Sequence, residues 1–206
     1  LEIKRSEFIG HIKRVSTVEE ARAYIESVRK TYHDARHVCS AFIIGADRDI
    51  QRSSDDGEPA GTAGVPMMQA LLARQTREDG TTDLSDVVAV VVRYFGGIKL
   101  GAGGLVRAYT DSVVQTLDGA LFDSRERLRV GQVPSSHADA GRLENEIRAA
   151  GLNVLGTEYG AEGATISLGV FDRPEELERA EELVVSLSSG AASVTWGDTQ
   201  WVDLPV

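Results

Sequence analysis

The 206 residues of the chain, 42% of them hydrophobic and 26% charged, are enough for a folded protein of two compact domains. A single cysteine, Cys39, excludes an intrachain disulfide, and the opening residues LEIKRSEFIG lack the apolar segment of a secretory signal. No apolar run approaches the roughly 20 residues that a membrane-spanning helix needs. We therefore expect a cytoplasmic protein.

The net charge of −10 is unevenly distributed. Residues 1–125 carry 16 Lys and Arg against 18 Asp and Glu, a net charge of −2, whereas residues 126–206 carry 6 against 14, a net charge of −8. Such a chain does not bind nucleic acid indiscriminately, because its own field repels phosphate. An anionic partner is expected only at a local basic patch of the first part, and the alternative is that these cations form a solvated face. The candidate patches are the group Lys4, Arg5, Lys13 and Arg14 and the stretch RYFGGIKLGAGGLVRAY at 93–109.

The first 125 residues alternate between the periods of strands and helices. Ser16 and Glu19 have the spacing of a capping box, and DVVAVVVRYF is apolar on both faces, as is typical of a central strand. In chain order we predict a strand over 6–15, a helix over 16–32, a strand over 37–45, a long loop over 52–64, a helix over 65–75, a strand over 86–95 and a helix over 104–120.

The strand and helix pattern starts again after Asp123. Its order is βαββαβ, the split βαβ arrangement of ferredoxin-like domains. We therefore predict a first domain over 1–125 and a ferredoxin-like domain over 126–206. The predicted elements are a strand over 125–133, a helix over 136–151, strands over 152–160 and 164–171, a helix over 173–190 and a strand over 192–204.

The stretch at 93–109 holds five glycines between Gly96 and Gly104. A buried strand, a glycine turn and a helix N-terminus together present free backbone amides to an anion. The dinucleotide pattern GxGxxG nevertheless fails, because Val106 stands at its third glycine position. The P-loop pattern fails as well, because Ala102 and Gly103 stand where Lys and Ser or Thr are required. No nucleotide cofactor is predicted.

Three motifs together carry a family resemblance: DARHVCSAF at 34–42, RSSDDGEPAGTAGVP at 52–66 and the glycine stretch at 93–109. They resemble the YigZ/Impact family over about residues 1–125, and the βαββαβ part is similar to the small C-terminal domain of bacterial members. The resemblance implies an α+β chain whose first domain resembles domain IV of elongation factor G, with a left-handed βαβ crossover. Its second domain then resembles the ferredoxin-like domain V of that factor.

The resemblance also implies a link to translation, because eukaryotic family members are associated with the control of translation under stress. The favoured hypothesis is a non-enzymatic protein that contacts RNA, the ribosome or a translation-linked protein through its first domain. The predicted anion or RNA contacts are Arg93, Lys99 and Arg107 with Gly96, Gly97, Gly101, Gly103 and Gly104.

Two alternatives concern the carboxylates of Asp55, Asp56 and Glu58. In an enzyme acting on a phosphorylated substrate they would hold Mg²⁺ or orient a water while the glycine stretch held the phosphate. In a purely structural role they would pair with the basic residues of the glycine stretch and fix the fold. Missing nucleophile and nucleotide signatures weigh against the enzyme, so no catalytic residue and no metal are predicted.

Several smaller hypotheses stay open at this point. His37 and Cys39 share a strand face and form either a nucleophile pair or core packing, and His33 and His37 have a metal-ligand spacing without any further zinc motif. Tyr94 and Phe95 either stack on bases or belong to the core. Gly103 and Gly104 are predicted to need positive φ or close chain approach, so that alanine at either position destabilises the fold.

Overall fold

The computed structural model describes residues 1–204, which divide into two compact units, Leu1–Leu121 and the chain from Phe122 onward. No helix within these residues has both the length and the apolar character needed to cross a bilayer. In chain order the elements are β1 (Glu2–Ile3), β2 (Ser6–Arg14), α1 (Val18–Thr31), β3 (His37–Ile44), β4 (Ile50–Ser54), α2 (Gly64–Leu72), β5 (Val87–Tyr94), α3 (Ala102–Asp118), β6 (Ser124–Ser135), α4 (Ala140–Ala149), β7 (Asn153–Tyr159), β8 (Ala164–Phe171), α5 (Pro174–Leu187) and β9 (Thr195–Leu204).

The first unit is built on a five-stranded sheet in the order β1-β2-β5-β3-β4. Strands β2 and β3 both run antiparallel to β5, so they are parallel to each other, and α1 connects them across the central strand. Strand β5 is central because its side chains are apolar on both faces. Val88, Val90 and Val92 pack in the core that α1 covers, whereas Ala89 and Val91 point to the opposite face and are also buried.

Helices α2 and α3 pack against each other and against the strands β2, β3 and β4. Helix α1 begins at a capping box one residue later than predicted. Its N-cap is Thr17, whose hydroxyl accepts from the Glu20 amide, while the Glu20 carboxylate accepts from the Ser16 amide. The predicted loop over 52–64 was also too long, because residues 52–54 belong to β4 and pair with β3.

The second unit has a four-stranded antiparallel sheet in the order β7-β8-β6-β9, with α4 between β6 and β7 and α5 between β8 and β9. This is the predicted ferredoxin-like order, and the α+β class with two domains is confirmed. Its core lies between the sheet and both helices, with Leu143, Ile147, Ile166, Leu168 and Val184 fully or almost fully buried. Strand β6 begins at Ser124, one residue before the predicted strand, so 124 and 125 lie in this sheet although the predicted domain boundary assigned them to the first domain.

Candidate functional site

Two loops leave the sheet of the first unit, and each leads into a helix. The acidic loop is defined as residues 55–63, between β4 and α2, and the glycine loop as residues 95–101, between β5 and α3. The acidic loop contains all three predicted carboxylates, and the glycine loop contains Lys99 and three of the five predicted glycines, whereas the remaining predicted residues lie in β5 and α3. The charged groups of the acidic loop bind other parts of the molecule, whereas the charged group of the glycine loop is exposed.

Asp55 caps the N-terminus of α2. One carboxylate oxygen accepts from the amides of Ala63 at 3.0 Å and Gly64 at 2.7 Å, and the other accepts from Gly61 at 2.8 Å. Burial raises the pKa of Asp55, but the amides of Gly61, Gly64 and Ala63 outweigh it, so the pKa lies below its usual range. A carboxylate at this position satisfies amides that the helix itself leaves without acceptors.

Asp56 ties the acidic loop to α1 and β3. Its carboxylate receives two hydrogen bonds from the Arg29 guanidinium, at 2.9 and 3.0 Å, and one from the Val38 amide at 2.6 Å. Burial raises the pKa of Asp56, but the Arg29 hydrogen bond and the Val38 amide bring it below its usual range. Asp56 adopts a left-handed backbone with φ of 44°, which Asp tolerates better than most residues.

Glu58 is the centre of a buried polar network. Its Oε1 accepts from Arg93 at 2.5 Å and from the Tyr109 hydroxyl at 2.8 Å, and the two charged side chains are only 4% and 6% exposed. The other terminal nitrogen of Arg93 donates to the Ser6 hydroxyl at 3.4 Å. This network thus joins the acidic loop to β5 through Arg93, to α3 through Tyr109 and to the start of β2 through Ser6. Removing one partner would leave the other charge buried without compensation.

His37 and Cys39 lie beside this network. His37 Nδ1 is 2.9 Å from the carbonyl oxygen of Asp56, which makes it the protonated nitrogen, and Nε2 is 3.9 Å from the second oxygen of Glu58. The Cys39 thiol is fully buried and donates to the carbonyl of Asp55. Burial raises the pKa of the Cys39 thiol to about 12. A thiol in this state is core packing and is unsuited to be a nucleophile.

The acidic loop therefore corrects two of the sequence hypotheses. Asp55, Asp56 and Glu58 each bind a different protein group, and residues 1–204 contain no group of three His, Cys, Asp or Glu side chains arranged to hold a metal ion. Arg93 is 5% exposed and pairs with Glu58, so it does not offer its charge to an external phosphate. The predicted structural pairing between the carboxylates and the basic residues of the glycine stretch is found for Glu58 and Arg93.

The glycine loop has free space around two of its glycines, whereas the acidic loop is bound to the rest of the first unit. Gly97 and Gly101 adopt φ of 84° and 76°, and a Cβ at either position would meet no heavy atom within 4 Å. Gly101 is the N-cap of α3 and has no side chain, and within residues 1–204 no other side chain caps this helix. The amides of its first turn therefore lack the side-chain acceptor that Asp55 provides for α2.

The geometry corrects the expectation for Gly103 and supports it for Gly104. Both are helical residues of α3, and neither has positive φ. A Cβ at Gly103 would contact nothing within 4 Å, so neither stated reason for glycine applies there. At Gly104 a Cβ would approach the Leu100 Cβ at 3.0 Å, which is the close approach that was expected.

Gly96 brings the turn between β1 and β2 against the glycine loop. A Cβ on Gly96 would lie 2.0 Å from the carbonyl carbon and oxygen of Arg5, so only glycine permits this approach. The Gly96 amide also donates to the Ser6 hydroxyl at 3.2 Å. The sequence analysis placed Arg5 and Lys99 in separate patches, because the spacing of residues 5 and 96 does not indicate that Gly96 contacts the Arg5 backbone.

We define the glycine-loop face as the surface formed by this turn and this loop, with the side chains of Lys4, Arg5, Phe95, Ile98 and Lys99. All five are exposed, Phe95 and Ile98 by 42% each. Within residues 1–204, Lys4, Arg5 and Lys99 form no ion pair. Arg107 is exposed as well, but it pairs with Asp111 at 3.5 Å, one turn further along α3.

Comparison with known proteins places this geometry in a family. The Impact N-terminal domain matches residues 4–117, and a domain of unknown function, DUF1949, matches residues 136–191. The chain is thus of the class in which an Impact-type domain precedes a ferredoxin-like one.

Whole-chain relatives confirm the assignment: the chain belongs to the IMPACT family. It is 36% identical over 204 residues to IMPACT family member YvyE of Bacillus subtilis (strain 168), covering 99% of this chain and 89% of that protein. It is 49% identical over 118 residues to IMPACT family member YigZ of Escherichia coli (strain K12), covering 56% of this chain and 54% of that protein. A solved crystal structure described as that of a hypothetical protein matches with a TM-score of 0.63 and 32% identity, covering 94% of this chain and 90% of the other.

Proposed function

We propose that the chain is a non-catalytic binding protein linked to translation, and that it contacts RNA through the glycine-loop face. The observation that carries the proposal is the group of three exposed cations without ion pairs, Lys4, Arg5 and Lys99, beside an exposed aromatic ring. Cations of this kind bind phosphate by releasing its counterions.

These three cations lie on a chain whose net charge is −10. Two other basic side chains of the first unit are paired within the molecule, Arg29 with Asp56 and Arg93 with Glu58. A local cationic surface on an acidic chain favours weak, oriented binding over indiscriminate binding. The link to translation rests on family membership and on the resemblance to elongation factor G, which is an analogy of fold.

The test is fluorescence anisotropy of a short labelled RNA at increasing salt concentration. Three phosphate contacts predict a slope of about −2 for log affinity against log salt on a single strand, since each contact contributes roughly 0.7. Lys99→Glu should weaken binding severely and reduce the slope. The matched control is Arg179→Glu, an exposed position of α5, which changes the net charge by the same amount and should leave the affinity within about twofold.

Two results would overturn the proposal. Equal affinity of the parent and the Lys99→Glu variant would remove the glycine-loop face as the contact. Absence of RNA binding even at low salt, together with co-purification of a translation-linked protein, would replace RNA by a protein partner.

A further inference from the structure

Phe95 borders solvent and contacts a buried cation. The Arg93 guanidinium carbon lies over the Phe95 ring, 5.5 Å from its centroid, and over the Phe8 ring, at 5.4 Å. Phe8 is 1% exposed, whereas Phe95 is 42% exposed. The cation thus contacts both an inner ring that belongs to the core and an outer ring that borders solvent.

The cation that the outer ring contacts is held in place from inside the molecule. Arg93 is held by Glu58, which is held in turn by Tyr109, and the Tyr109 ring packs edge-on against Phe8 at 5.3 Å. Next to Phe95 along the chain, Gly96 is locked against Arg5. A large apolar ring is therefore exposed beside a buried and paired cation, although burial in the core would be the ordinary result for Phe.

Lys4, Arg5 and Lys99 lie on the turn and the loop that meet at Gly96, next to Phe95 in the chain, and all three are exposed and form no ion pair within residues 1–204. Cations that follow a phosphate backbone, combined with an aromatic side chain on which a base can stack, are the two components of single-stranded nucleic acid binding. Double-stranded RNA offers phosphates but no free base face, because its bases are stacked on each other within the helix.

We propose that the glycine-loop face binds single-stranded RNA, with one unpaired base stacked on the outer face of Phe95. This inference rests on the proposed RNA contact and specifies its substrate. Acidic groups nearby, Glu2 and Glu7 on the paired strands β1 and β2, limit the number of phosphates that the face accepts. They favour a short single-stranded segment.

The experiment compares a labelled single strand with a duplex of the same sequence, using the parent and four variants of the full chain. Phe95→Leu keeps an apolar side chain but removes the stacking surface, and it should weaken binding of the single strand by roughly tenfold, within the range that loss of one stacked base causes. The affinity for the duplex should stay unchanged. Phe95→Trp should bind the single strand at least as tightly as the parent, because indole also stacks.

Ile50→Ala is the matched control, an exposed apolar residue at the Ile44 end of the β3–β4 pair, away from the His37 end that lies beside Arg93. It should bind both RNAs as the parent does. Lys99→Glu should weaken the single strand and the duplex alike. Circular dichroism of each variant confirms that the comparison is made between folded proteins.

The outcomes separate the two proposals. If Phe95→Leu binds the single strand as tightly as the parent while Lys99→Glu does not, the stacked base is refuted and the RNA contact stands. If the parent prefers the duplex, the single-strand assignment is likewise refuted. If neither variant changes binding, or if a Glu-rich peptide binds the same face in place of RNA, both proposals fail.

Discussion

The acidic loop and the glycine loop are alike in sequence character and opposite in structure. Both are rich in glycine, both leave the same sheet, and both lead into helices that pack against each other. The carboxylates of the acidic loop bind other groups of the same molecule. Asp55 binds amides at the N-terminus of α2, Asp56 pairs with Arg29, and Glu58 pairs with Arg93. The glycine loop leaves its cation and its aromatic ring on the surface.

The difference shows that a dense group of charged residues is a poor guide to a binding site. Carboxylates that are buried and paired stabilise one conformation, and their chemistry is already satisfied. A surface that can bind a partner offers charged groups that have no ion pair within the molecule. In our proposal that surface is the glycine-loop face, and the Glu58–Arg93 pair links it to the acidic loop.

The largest effect should come from breaking that pair. Glu58→Gln leaves the Arg93 guanidinium buried without a counter-ion, which should lower the free energy of unfolding by about 3–5 kcal/mol. Urea denaturation followed by circular dichroism measures the change. The control Glu78→Gln, at an exposed position of the same unit, should shift stability by less than about 0.5 kcal/mol. A loss below about 1 kcal/mol for Glu58→Gln would show that the network does not hold the loop.

The second effect concerns the cap of α2. Asp55→Ala removes the acceptor of three amides and should cost about 2 kcal/mol near neutral pH. The folded-state pKa of Asp55 lies below the value of about 3.9 expected in the unfolded chain, so its contribution is present above that pH and is lost as the pH falls through the folded pKa.

The difference in unfolding free energy between parent and Asp55→Ala should therefore shrink below about pH 4. Denaturant titrations at several pH values measure it. A difference that is constant, or that grows as the pH falls, would contradict an ionised cap.

The third stability effect separates two glycines of one stretch. Gly101 combines φ of 76° with ψ of 166°, a region open almost only to glycine, so Gly101→Ala should lower the unfolding free energy by about 1–3 kcal/mol. Gly103 is helical with open space around its Cβ position, so Gly103→Ala should raise it by up to about 1 kcal/mol. Thermal unfolding of both variants measures the contrast, and equal melting temperatures would contradict it.

Much of the fold follows from local pattern. The apolar run of β5 predicts a central strand, and the βαββαβ order predicts the second sheet and its strand order. What escaped prediction is short or has no local signal. Strand β4 is fully exposed and so has no alternation of buried and exposed residues, and β1 has two residues.

The site was predictable only in part, because its chemistry depends on contacts between distant residues. The sequence identifies Glu58 and Arg93, but their pairing follows from the sheet register that places His37 opposite Arg93. Tyr109 and Ser6 were missed, since a tyrosine within a helix and a serine before a strand carry no signature of a network. The contact of Gly96 with Arg5 likewise arises from tertiary packing, and it is what joins two separate basic segments into one face.

We infer that the acidic loop binds groups within the molecule and that the glycine loop binds an external partner. Amide hydrogen exchange of the full chain, followed by NMR with and without single-stranded RNA, tests it directly. In the free protein the amides of Gly61, Ala63 and Gly64 should be protected by Asp55, and those of the glycine loop, apart from the Gly96 amide that donates to Ser6, should exchange fast. Added RNA should slow exchange in residues 95–101 and leave residues 55–63 unchanged. Protection confined to the acidic loop, or no change in the glycine loop at saturating RNA, would contradict the account.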